Sequence, residues 1–272
     1  MPSKGTADAI RAVVTGGADI GFIDVPSLVA AGGAGAPIKI VAANYQKPPY
    51  CIFSLNPGAN IDTAKKLEGI ELGSSSASFL PKIWQAVMEM NGVDSKSMKI
   101  VNIDAPARVP MLAARKVPSI DLFIMSEPAI KRAVPDAKPV CLFAGDLGLE
   151  IYANSIGVHE DYLKKNPEVV RKFVRAALRG WKDTFDNPQE AAKIQLQYVK
   201  ALDPQIVVEE IEILRRVAIT PEVQKNGLGY ITLDRMKKTV DFINKNIEVP
   251  GEKLTAEKIF VPGFLPEKPI LP

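Results

Sequence analysis

Residues 99–125, KIVNIDAPARVPMLAARKVPSIDLFIM, hold two short apolar runs separated by a mixed segment. Lys99–Ile103 and Ile120–Met125 are short for helices and rich in branched apolar residues, so they read as buried strands. Arg108–Arg115 between them reads as a helix. A strand, a crossing helix and a second strand form the unit from which parallel sheets covered by helices are built.

The same alternation extends outward in both directions. Thr6–Thr15 is expected as a helix, and Asp19–Phe22, Ile38–Ala43 and Tyr50–Leu55 as strands. Thr63–Leu67 supplies a helical turn before the strand Ile70–Gly73. Phe79–Asn91 is a helix stopped by Asn91-Gly92. Downstream, a helix at Pro128–Ala133 precedes the strand Pro139–Phe143. Gly32-Gly33-Ala34-Gly35 precedes a strand and reads as a turn. Beyond Asn154 the pattern is mostly helical, and one device marks the helix starts. Asn166-Pro167-Glu168, Asn187-Pro188-Gln189, Asp203-Pro204-Gln205 and Thr220-Pro221-Glu222 each pair a capping side chain with proline at the first helical position. Thr232-Leu233-Asp234 is a fifth start, and the proline-rich tail 262–272 runs extended. The fold class is therefore α/β, with mixed sheets flanked by helices and a helical C-terminal third.

Composition excludes several classes of function. The 34 basic and 31 acidic residues leave a net charge of only +3, with no basic run suited to nucleic acid. No stretch approaches the roughly 20 apolar residues that span a bilayer. The chain opens MPSKG, without the apolar run of an export signal. Cys51 and Cys141 lie in apolar strands and read as free buried thiols, with a disulfide the alternative in an exported protein. The single histidine, His159, sits where a strand enters a helix and is expected to cap or face solvent. No metal-ligand spacing, nucleophile elbow, phosphate loop or dinucleotide fingerprint occurs. No catalytic residue, metal or cofactor is expected.

Several segments, in order, resemble the NMT1/THI5-like and SsuA/TauA-like solute-binding proteins. Gly5–Ile10 and Thr15–Phe22 look like the family's helix and its "sG-x-aDiG" strand, and Gly35–Lys39 like its "GaPvk". Ile61–Gly73 is similar to "Ik-x-pkDLkGk-x-iG". Val101–Asp104 resembles "vnid", and Phe123–Pro128 resembles "y-x-x-EP". Gly180-Trp181 through Ala192 resembles "Gw…NPeeAa", and Phe264-Leu265-Pro266 the closing "FLP". Two departures stand out. The strand, helix and strand that normally precede the Gly5 segment are absent, so a truncated first lobe is expected. Arg115–Asp121 replaces the usual "sGkvDa", so that turn should differ.

The resemblance implies a two-lobed type II periplasmic-binding-protein fold, with lobe 1 from residues 1–56 and 150–272 and lobe 2 from 57–149. Crossings are expected near Phe53–Asn56 and Leu149–Asn154. It further implies the solute-binding component of an ABC importer, a monomer in the periplasm or cell envelope. Such a receptor closes on a small molecule by hinge motion, is recognised by transmembrane permease subunits and catalyses nothing. The alternatives are a pyrimidine-biosynthesis enzyme of the same superfamily, whose cysteine-rich motif and histidines are not matched here, and a cytoplasmic effector-binding domain.

Open α/β sheets bind ligands beyond the C-terminal ends of their strands. That rule selects Asp24 after the first strand, and Asn44 and Tyr45 after the second. It also selects Ser74, Ser75, Ser76 and Ser78, whose hydroxyls precede a helix and suit an anionic group. Asp104 and Glu127 follow later strands and are placed to accept from ligand N–H groups. Tyr152 and Asn154 lie on the return crossing. Trp84 and Trp181 fall at helical spacing among apolar residues and are assigned to the core. The acids and tyrosines suit a flat nitrogen heterocycle such as a pyrimidine, and the serines a sulfonate, nitrate or aromatic acid.

Overall fold

The computed structural model describes residues 6–31, 37–75, 78–200 and 202–272. The glycine turn expected at 32–35 and Ser76 lie outside the described residues. The strands are β1 (Ile20–Asp24), β2 (Ile38–Ala43), β3 (Tyr50–Asn56), β4 (Glu71–Ser74), β5 (Lys99–Asn102), β6 (Ser119–Phe123), β7 (Lys138–Phe143) and β8 (Asn154–His159). The helices of the first half are α1 (Thr6–Val14), α2 (Val25–Ala30), α3 (Leu80–Met90), α4 (Ala105–Ala113) and α5 (Glu127–Ala133). Those of the second half are α6 (Glu160–Lys165), α7 (Pro167–Asp186), α8 (Pro188–Tyr198), α9 (Pro204–Ala218), α10 (Pro221–Asn226), α11 (Leu233–Asn246) and α12 (Ala256–Ile259).

Two compact units emerge. Unit 1 comprises residues 1–48, 150–194 and 215–272, and unit 2 comprises 49–149 and 195–214. The boundary expected at 56/57 falls instead at 48/49. The reason is β3, whose backbone pairs antiparallel with β6 on one side and β7 on the other, committing residues 50–56 to unit 2. Residues 195–214, expected in lobe 1, also join unit 2, where Arg132 of α5 meets Glu209 of α9 at 3.5 Å. No helix among the described residues is long and apolar enough to cross a membrane.

Unit 1 contains a three-stranded sheet of order β1-β8-β2, with β8 antiparallel to both neighbours. Its core includes Ile23, Ile40, Val158, Val174, Leu178 and Ile243, all essentially inaccessible. Gly157 is needed where it stands: a Cβ there would lie 2.7 Å from Ile23 Cγ1. Unit 2 contains a five-stranded sheet of order β5-β4-β6-β3-β7, in which β4 runs parallel to β5 and β6. The strand–helix–strand unit at 99–125 thus places both its strands beside β4. Ile52, Phe53, Leu72, Val87 and Ile120 fill the interior with Trp84, as expected for that tryptophan.

Four of the five expected capping devices engage, whereas Asn166 stands at the N-cap of α7 without a side-chain cap bond and leaves that start to Pro167. Thr220 accepts from Val223 N, Thr232 from Arg235 N, and Asp203 from Gln205 N at 2.8 Å. His159 caps α6, its Nδ1 accepting from Asp161 N at 3.2 Å. Cys51 and Cys141 are not free thiols. They are joined in a disulfide, because antiparallel pairing of β3 with β7 brings their Cα atoms to 5.7 Å. At Arg115 the backbone takes a φ of 55°, a left-handed turn residue held by Nη1 donating to Pro57 O and an ion pair with Asp136 at 2.9 Å.

Candidate ligand-binding site

In unit 1, antiparallel pairing sets the ends of β1 and β2 beside the start of β8. Asp24 is the register partner of Asn154, and Ala43 that of Ser155. The backbone N–H groups of Asn44 and Tyr45 both donate to Asn154 O, at 3.1 and 2.9 Å. Four of the expected residues, Asp24, Asn44, Tyr45 and Asn154, therefore share one rim. Asp24 is committed to the fold: its carboxylate caps α2 by accepting from Ser27 N at 2.9 Å and also takes the Ser27 hydroxyl. Asn44 and Asn154 differ from it. Both are more than nine-tenths buried, and each has a side-chain Oδ1 with no hydrogen-bond donor. A buried carbonyl oxygen without a donor costs on the order of 1–3 kcal/mol. Two together mark a place where an incoming N–H group would be welcome.

An aromatic wall stands beside them. The Tyr45 ring lies 5.4 Å from Phe22 and 6.1 Å from Trp181, edge-on to both. Phe22 and Trp181 are 6.1 Å apart at 33°, and Trp181 in turn leans on Phe185. Phe22 is 41% exposed and Trp181 half-buried, so the wall presents open ring surface. Trp181, assigned to the core from its spacing, follows the buried Val170, Val174 and Leu178 of α7 but sits at the margin of that stripe. Phe22 was missed entirely, because an apolar residue inside a short strand gives no sign of which face it takes.

Tyr152, expected at the site from its place on the return crossing, is turned into the fold instead. It is fully buried, its hydroxyl accepts from Thr232 N at 3.1 Å, and the Arg235 guanidinium covers its ring at 4.6 Å. Burial pushes its phenol above the ordinary value. It joins the return segment to the cap of α11 and has no face left for a ligand.

In unit 2, the ends of β4, β5, β6 and β7 and the start of β3 form the corresponding rim. Ser74 does not open onto it: completely buried, it donates to Asp121 Oδ2 at 2.5 Å. Asp121 also receives Arg108 Nη1 at 2.7 Å, and Arg108 Nε donates to Ile103 O at 3.2 Å. Burial raises the Asp121 carboxyl above its ordinary value, while the Ser74 hydroxyl and Arg108 pull it down. Ser75 is half-buried, and Ser78 Oγ accepts from Leu80 N at 3.2 Å, serving the first turn of α3. Asp104 stands at the N-cap of α4, exposed and making no cap bond. Glu127 is the first residue of α5 rather than the end of a strand, because β6 stops at Phe123 and a short 3-10 turn intervenes. The phenyl ring of Phe123 lies 6.0 Å from Tyr50, which meets Phe79 at 6.2 Å.

This fold, with one antiparallel and one mixed sheet flanked by helices, is shared with solved periplasmic sulfonate-binding proteins. The alkanesulfonate-binding protein SsuA from Xanthomonas axonopodis pv. citri, solved with MOPS, shares the fold with a TM-score of 0.71. Identity is 15%, over 95% of this chain and 86% of that one. The desulfurization enzyme DSZB has it too, with a TM-score of 0.60 at 13% identity over 88% of this chain and 81% of the enzyme. The fold alone therefore serves both binding and catalysis. By sequence, residues 1–191 match the NMT1/THI5-like family, and the chain belongs to it. It is 30% identical over 227 residues to the riboflavin-binding protein RibY of Chloroflexus aurantiacus, 80% of this chain and 62% of RibY. It is 23% identical over 194 residues to a formylaminopyrimidine-binding protein of Halalkalibacterium halodurans, 70% of this chain and 57% of that protein. The chain thus spans about three fifths of the length of these relatives.

Proposed function

We propose that this chain is the solute-binding component of an ABC importer, that its solute is a flat nitrogen heterocycle, and that it leaves the solute chemically unchanged. The observation that carries the reading is the unit 1 rim. The part-exposed rings of Phe22 and Trp181 share that rim with two buried amide oxygens, on Asn44 and Asn154, that lack donors. Ring faces suit a planar π-system. The oxygens suit ring or amino N–H groups, whose absence leaves them unsatisfied. Relatives named for binding a flavin and a pyrimidine support the same class of solute. Hinge closure on the solute and recognition by transmembrane permease subunits belong to this proposal. So does a place in the cell envelope, which the Cys51–Cys141 disulfide supports, since oxidising compartments sustain such bonds.

Calorimetric titration with riboflavin, an aminopyrimidine and an alkanesulfonate, with mass spectrometry of the recovered solute, tests the reading. A heterocycle is expected to bind and return unaltered, and the radius of gyration from small-angle scattering to fall on saturation. Trp181→Ala should weaken binding roughly tenfold, about 1.4 kcal/mol, with the fold intact. Binding of the sulfonate alone would overturn the solute class, and turnover of any compound would establish an enzyme of the DSZB kind instead.

A further inference from the structure

Away from the strand-end rim, unit 1 carries a groove of about 750 Å³ between α7 and the C-terminal tail. Arg171, Lys172, Arg175, Arg179 and Lys182 of α7 line it, with Lys268 from the tail. Only two acids, Glu168 and Glu267, share the lining. Arg171 is occupied: it meets Glu168 at 3.2 Å, donates to Gly263 O and lies over the Phe264 ring at 4.7 Å. Lys182 pairs with Asp186 at 3.0 Å. Arg175 and Arg179 are exposed and, like Lys172 and Lys268, pair with no carboxylate among the described residues. The groove therefore holds a net excess of positive charge that the fold does not use.

We propose that this groove docks an acidic segment of a partner protein, its carboxylates paired with Arg175 and Arg179. The two arginines are one helical turn apart, about 6 Å along the axis. Alternate side chains of an extended chain repeat at roughly the same distance, about 6.6 Å. Guanidinium groups bind carboxylates in a two-pronged geometry that an ammonium lacks. On the opposite wall Leu265 and Pro266 are apolar and part-exposed, and suit the residues between the acids. That wall makes the site a groove instead of a flat basic face, the shape a lipid surface would need, and the volume far exceeds a single phosphate. The inference is independent of which solute the strand-end rim takes.

Fluorescence anisotropy with a labelled short peptide alternating glutamate and serine is the test. The peptide is expected to bind at low ionic strength and to weaken severalfold as salt shortens the Debye length to about 8 Å. Arg175→Gln/Arg179→Gln should weaken it at least tenfold, and the double change to glutamate should abolish it. Thermal unfolding and solute affinity should stay unchanged in both variants. Equal binding by the glutamine double variant, or by a control peptide with glutamine for glutamate, would overturn the proposal. So would arginine-dependent binding of inorganic triphosphate or phosphatidylglycerol vesicles with no binding of the peptide.

Discussion

Replacing Arg108 by methionine probes the buried network of unit 2. The Asp121 side chain has no exposure and that of Arg108 has 7%, so water cannot take over when the guanidinium is removed. The variant loses the 2.7 Å ion pair and the 2.9 Å bond from Nη1 to Asp121 O, leaving the carboxylate with the Ser74 hydroxyl. Breaking a buried pair from one side costs about 3–5 kcal/mol. At roughly 2–4 °C per kcal/mol, the unit 2 transition should fall by about 6–20 °C. The pH dependence follows from linkage. The Asp121 carboxyl is already raised by burial, and loss of Arg108 raises it further. Between the unfolded and the folded value, the folded state binds the extra proton, so stability rises as pH falls. Arg108→Met should therefore be less destabilised at pH 5 than at pH 8. Hydrogen exchange at Ile52 and Leu72, both fully buried, follows unit 2 directly. Arg108→Met/Asp121→Leu should recover most of the loss, since two apolar replacements leave no bare charge. A loss under 1 kcal/mol, or a deficit that grows toward acid pH, would refute the reasoning.

Tyr152→Phe removes the acceptor of Thr232 N and should cost about 0.5–1.5 kcal/mol in thermal unfolding. Solute affinity should not change, and a tenfold loss of binding would restore Tyr152 to the site. Reduction of the Cys51–Cys141 disulfide, which closes a loop with a sequence separation of 90, should lower stability by about 2–4 kcal/mol and expose two titratable thiols. Unchanged denaturant unfolding after confirmed reduction would contradict this. Gly157→Ala forces a methyl against Ile23 and should cost about 1–3 kcal/mol, read by the urea midpoint. Thr220→Ala deletes the cap of α10, with an expected loss of about 1 kcal/mol.

What the sequence revealed depended on whether a property was local. The helix starts were legible because a cap, a proline and an early acid act within one turn, and Thr220, Thr232 and Asp203 all engage as expected. The alternation of elements was legible because burial imposes the same short apolar runs wherever parallel strands sit between layers. Assignment of β3 to a unit was not, since both its neighbours lie far along the chain: β6 at 119–123 and β7 at 138–143. Pairing of the cysteines failed to show for the same reason.

The candidate site divides along the same line. The rule that ligands lie beyond strand C-termini led to Asp24, Asn44 and Tyr45, and the return crossing led to Asn154; the sheet register does gather all four. It specifies position but not direction. Ser74 obeys it in position and Tyr152 lies on the return crossing, yet both spend their hydroxyl groups within the fold, on Asp121 and Thr232, as most buried polar groups do. Trp181 was passed over because apolar residues at helical spacing are assigned to the core by default, and Phe22 because it was read only as the end of a strand. Their open faces become informative only beside Asn44 and Asn154, whose side-chain oxygens have no donor. An exposed ring alone is ordinary, and an unsatisfied amide alone is a small defect. Their conjunction on one rim is a feature of the folded chain: it joins Asn44 and Asn154, which the sequence had named, to Phe22 and Trp181, which it had passed over.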